Sequence, residues 1–113
     1  MTSTRSSTLG PDSRPVFIPE DVDDPSVRKA AGVVELPMHV RWSGPPKRYD
    51  LAKPVDRALV YEQVLQEGTA DDVRHYIDVD SLLGMWNDLV LPRRVRRAWA
   101  DWFRRVRNVK VAC

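Results

Sequence analysis

Cysteine is all but missing: the single one, Cys113, is the last residue. It has no second thiol with which to close a disulfide or share a zinc ion. Histidine is almost as scarce. His39 and His75 stand far apart with no metal-ligand spacing around either. The five glycines never fall into a phosphate-cradling pattern. No apolar run approaches the length of a membrane span, and the N-terminus lacks the apolar stretch of a signal peptide. These gaps point to a reducing, cytoplasmic setting and away from a membrane, a metal or a cofactor.

A catalytic constellation is also lacking. Asp71 and His75 lie four residues apart and share a helix face, which is the beginning of an acid–base pair. No third group or pocket accompanies them, and the same spacing commonly gives a solvated helix pair. Asp78, Asp80 and Asp88 lack the loop glycine and terminal glutamate of a calcium hand; helix capping accounts for the first two. The chain therefore reads as a binding protein and not as an enzyme.

Charge is plentiful, and it is segregated. Residues 1–50 carry seven basic and seven acidic side chains. Residues 51–91 carry three basic and eight acidic, and residues 92–113 carry eight basic and one acidic. The formal net of +2 conceals a net of −5 followed by one of +7. Such asymmetry speaks of partners or of pairing within the chain, not of fold.

Residues 1–38 are rich in Pro, Ser, Thr and Asp and have no sustained periodicity, so they read as a flexible extension. Residues 39–113 read as the folded domain. Gly44-Pro45-Pro46 makes an extended lead-in flanked by Trp42 and Tyr49. Pro54 and Gly68 bracket a first helix. Thr69, with Asp72 three residues on, starts a second as a capping box. Asp78 or Asp80 caps a third, with its stripe at Val79, Leu82, Leu83, Trp86 and Val90. Gly84 inside it suggests close packing. Pro92 opens a fourth, whose stripe is Val95, Ala98, Trp99, Trp102, Phe103 and Val106. The expected architecture is all-α: a small bundle of about four helices behind an extended, largely disordered N-terminal arm.

The fourth helix is otherwise nearly all arginine: Arg93, Arg94, Arg96, Arg97, Arg104, Arg105 and Arg107. Seven guanidiniums suit phosphate, and the helix could serve a small nucleic-acid-binding regulator. Base-reading side chains are nearly absent, Asn108 excepted. The arginines could equally pair with the acidic middle of the same chain, and both readings stand at this point.

Four stretches carry a resemblance: RWSGP at 41–45, ALVYEQVLQEGT at 58–69, DVRHYI at 72–77 and LVLPRRVRRAWADWF at 89–103. Together they span about residues 39–104. This pattern resembles a family of small actinobacterial proteins that act as antitoxins to AbiEii/AbiGii-type nucleotidyltransferase toxins. The resemblance implies a toxin–antitoxin system and a protein partner that adds nucleotides to RNA. No predicted hairpin wing matches the winged-helix domain of the larger antitoxins of this class. A toxin of this kind should have a basic substrate site, so Asp71, Asp72, Asp78 and Asp80 are expected to face it. Trp42, Tyr49, Trp86 and Trp102 are the expected aromatic anchors. Arg94 and Arg97 are expected at the edge of the same interface.

Overall fold

The computed structural model describes residues 15–40 and 47–112. Four helices follow one another: α1 (Pro54–Glu67), α2 (Ala70–Tyr76), α3 (Val79–Met85) and α4 (Arg93–Trp102). A 3₁₀ turn, Trp86–Asp88, prolongs α3, and a π-turn, Phe103–Arg107, prolongs α4. The chain is mostly helical but not strictly all-α. Strands β1 (Val33–Glu35) and β2 (Arg48–Asp50) pair antiparallel, with Val34 opposite Tyr49 and Glu35 opposite Arg48. The all-α expectation missed this ladder because each strand is only three residues long, too short for alternation to show.

The helix starts follow the local chemistry. Pro54 supplies the first residue of α1, and the Asp56 carboxylate accepts from the Asp50 N–H at 2.9 Å, tying β2 to the helix. Thr69 and Asp72 form the expected capping box of α2. Asp78, not Asp80, caps α3: its carboxylate accepts from the Ser81 N–H and hydroxyl at 3.0 and 2.9 Å. Gly68 is needed for space. A Cβ there would lie 2.7 Å from the Val64 carbonyl oxygen and 2.9 Å from Asp72 Cβ. Gly84 has the opposite surroundings: a Cβ would meet nothing within 4 Å, so the close packing expected of it is not there.

The two helical stripes need correction at their ends. Val90 is 76% exposed because α3 has already given way to the 3₁₀ turn, and Leu89 is buried in its place. Val106 is 51% exposed because the π-turn shifts the register after Trp102. Asn108, at φ 55°, then ends the helix in the left-handed conformation that asparagine tolerates.

The core is aromatic at its centre. Trp99 and Phe103 are fully buried, with Trp86 edge-on to Phe103 at 5.4 Å and Trp102 edge-on to Trp99 at 5.5 Å. Trp86 Nε1 donates to the Ala112 carbonyl at 2.7 Å.

This core does not stop at residue 38. Val22 and Leu36 lie inside it, at 0% and 2% exposure. Lys29 Nζ donates to the Val22 and Arg74 carbonyls at 2.8 and 2.7 Å, and the Ala30 N–H donates to the His75 carbonyl at 2.8 Å. The last carbonyls of α2, which a helix leaves without partners of its own, are thus closed by a segment some forty-five residues upstream. The upstream segment was expected to be flexible from its composition, but residues 15–38 contribute both core side chains and a helix cap.

Candidate interaction surfaces

The expected anchors are placed differently from one another. Trp42 lies outside the described residues. Tyr49, Trp86 and Trp102 are 8%, 2% and 6% exposed and belong to the core. The Tyr49 hydroxyl accepts from Gln63 Nε2 at 3.2 Å. The Arg96 guanidinium stacks 4.9 Å from the Trp86 ring centroid and also donates to the Trp86 and Leu89 carbonyls. This arginine therefore locks the end of the α3 turn and does not face outward as a ligand.

The four acidic residues divide into two kinds. Asp72 and Asp78 are consumed by helix capping. Burial opposes ionisation of Asp72, but the Thr69 N–H and His39, whose Nε2 lies 2.6 Å from Oδ2, outweigh it and hold the carboxyl below its usual range. Asp71 and Asp80 reach the surface, with side chains 90% and 80% exposed, and each pairs with an arginine. Asp71 pairs with Arg74, which also donates to Asp21 at 2.8 Å. Asp80 pairs with Arg107, which also donates to Asp23 at 2.9 Å. Exposed pairs of this kind add little stability, but they do spend the charge locally.

The arginines of the last helix divide likewise. Arg96 and Arg107 are committed to the fold. Arg104 and Arg105 reach Asp101 at 2.7 and 2.8 Å, and Arg105 above all keeps the Asp101 carboxyl ionised to lower pH than usual. Arg93 and Arg97 are exposed and make no ion pair among the described residues. With Pro92 and Arg94 they line a depression of about 580 Å³. A second, of about 280 Å³, is lined by Arg97, Ala100, Asp101, Arg104, Lys110 and Val111. The first turn of α4 has no acidic residue and no side-chain cap. Cations there oppose the helix dipole, at a cost of about 0.3–1 kcal/mol each.

A different surface escaped the sequence reading. Val55 and Leu59 are 72% and 38% exposed, while Val60, Tyr61, Val64 and Leu65 fill the core side of the same helix. At 3.6 residues per turn, Val55, Leu59 and Glu62 form one ridge on the far side of α1. Glu62 accepts from the Val90 N–H at 2.8 Å, which brings the exposed Val90 beside this ridge. The signal was present: two valine- or leucine-bearing stripes on α1, at 55/59 and 60/64, exceed what one packed face can bury.

A cleft of about 350 Å³ includes Lys29, Arg57, Tyr61, Asp78 and Ser81 in its lining. Lys29, Tyr61, Asp78 and Ser81 serve one another and the backbone, the Tyr61 hydroxyl accepting from the Asp78 N–H at 3.0 Å, whereas Arg57 Nε is buried without a hydrogen-bond partner among the described residues. Among the described residues, no group of three His, Cys, Asp or Glu side chains could hold a metal, and no helix is long and apolar enough to cross a membrane. Compared with protein families, curated proteins and solved structures, the chain matches none.

Proposed function

We propose that the protein is an antitoxin that binds and neutralises a cognate nucleotidyltransferase-like toxin, and that the α1 ridge is its docking surface. The observation that carries this reading is the exposure of Val55, Leu59 and Val90 on one side of a small core that has buried its aromatics elsewhere. Exposed apolar side chains that cluster in this way mark protein partners more often than single ones do. The two longest stretches of the resemblance, 58–69 and 89–103, meet at this place through the Glu62–Val90 hydrogen bond.

The reading also revises which residues the partner touches. Tyr49, Trp86 and Trp102 belong to the core and do not touch the partner. Asp71 and Asp80 remain available only at the rim. The protein works by occupying the toxin and needs no chemistry of its own.

The test is co-expression with the product of the neighbouring open reading frame. The wild-type chain should restore growth and co-purify with that product. Val55→Asp with Leu59→Asp should abolish both while leaving the melting transition of the isolated chain intact. Asp71→Asn with Asp80→Asn should leave rescue within a few-fold of wild type. Absence of rescue and of co-purification by the wild-type chain would refute the reading.

A further inference from the structure

We infer that the outer face of α4 binds the phosphodiester backbone of nucleic acid, independently of base sequence. Arg97 belongs to both depressions on this helix, with Arg93 on one side and Arg104 and Lys110 on the other. At 1.5 Å rise per residue, Arg93 and Arg104 stand about 16 Å apart along the axis. Arg93, Arg97 and Arg104 are therefore set along one side of the helix with Lys110 beside the last two, which suits a chain of regularly repeated anions better than one isolated carboxylate. The guanidinium fork fits phosphate oxygens two at a time.

The surroundings favour an anion. Among the residues that line the two depressions, the exposed cations Arg93, Arg97, Arg104 and Lys110 are accompanied by one carboxylate, Asp101, which Arg104 and Arg105 contact. The helix start beneath Arg93 and Arg94 carries neither an acidic residue nor a side-chain cap. An incoming phosphate would relieve the repulsion between these arginines and the positive helix end.

The same geometry sets the kind of recognition. Asn108 is the one amide side chain from residue 92 onward, and it forms the left-handed helix stop. Trp99, Trp102 and Phe103 are buried, so the helix offers no aromatic ring on which a base could stack. What remains is backbone contact, with affinity set by salt and not by sequence. Val55 and Leu59 are on α1 and the arginines on α4, so the two surfaces can be altered by different variants.

Fluorescence anisotropy with a labelled 24-base-pair DNA duplex, and with an RNA duplex of the same sequence, tests this on the full chain. Binding should weaken as salt rises with a log–log slope of about −3 to −4, corresponding to four phosphates; engagement of all eight C-terminal cations would give about −7. A scrambled duplex should bind within about threefold, as contacts confined to phosphate require. Arg93→Glu with Arg97→Glu should reduce affinity at least about tenfold, through two of the four phosphate contacts. Arg93→Glu puts an acidic residue in the first turn of the helix and should by itself raise the melting temperature, and an unchanged or higher melting temperature of the double variant separates loss of binding from loss of fold. Lys47→Glu with Lys53→Glu matches the charge change on another surface and should leave binding within about twofold if the phosphates sit on α4. Comparison of the DNA and RNA arms identifies which duplex is preferred. The inference is overturned if neither duplex binds at low salt, if the slope approaches −7, or if the lysine variant loses as much affinity as the arginine variant. It is also overturned if the arginine variant loses toxin association and keeps nucleic acid.

Discussion

Lys29 Nζ sits 2.7 Å from the carbonyl oxygen of Arg74 and closes the end of α2 from across the chain. Its second bond, to the Val22 carbonyl, holds the upstream segment in place at the same time. Burial makes the ammonium harder to keep charged, and Asp78, Asp21 and Asp23 partly offset this.

Lys29→Met keeps the aliphatic stem and removes the donor. It should cost about 1–3 kcal/mol by urea titration, the penalty for leaving buried carbonyls unmet. Hydrogen exchange should quicken selectively in α2. A chain begun at Met38 loses Lys29 together with Val22 and Leu36 and should show no cooperative melting transition. If that shortened chain melts like the full one, the upstream segment has no part in the core.

Asp72 gives a pH dependence of defined sign. Its carboxyl is held below the usual 3.8 in the fold, so between the two values the unfolded chain binds more protons than the native one. The stability it supplies is present above 3.8 and disappears as pH falls through the lower, folded value. Asp72→Asn should therefore cost about 1 kcal/mol at about pH 7, the worth of a helix cap. The gap between variant and wild type should narrow in acid. A gap that stays constant down to acid unfolding would show that the carboxylate charge does not matter.

The two helix-associated glycines should respond in opposite directions to alanine. Gly84→Ala adds a methyl into open space within α3 and should stabilise by about 0.5–1 kcal/mol, the difference in helix propensity. Gly68→Ala forces its Cβ against the Val64 carbonyl and should destabilise. Thermal melts of the two single variants decide both signs.

Much of the helical part was legible in the sequence because it rests on local chemistry. The Thr69–Asp72 box, the Asp78 cap and the Pro54 start depend on residues within one turn of each other. The β1–β2 ladder was not legible, since three residues cannot display a period. Nor was the role of Lys29, whose partners lie 7 and 45 residues away. Trp86 and Trp102 were readable as large apolar residues, but sequence does not say whether such a ring faces the core or a partner. The arginines looked equivalent until Arg96 was seen on Trp86 and Arg107 on Asp23 and Asp80. The α1 ridge was hidden by counting Val55 and Leu59 into a single wide face.

The Asp23–Arg107 pair joins residues 84 positions apart, and Trp86 completes its hydrogen bond only at Ala112. A chain built from four short helices would ordinarily fold fast through neighbours, but this one must bring residues 23 and 107 together, which slows the search. During synthesis Asp23 waits for residue 107 to emerge before it meets its partner. A polypeptide interrupted ahead of Phe103 leaves Trp86 without its ring partner and Asp23 without Arg107, which makes it an easier substrate for proteolysis. The fold thus closes only once residues 107 to 112 have been made.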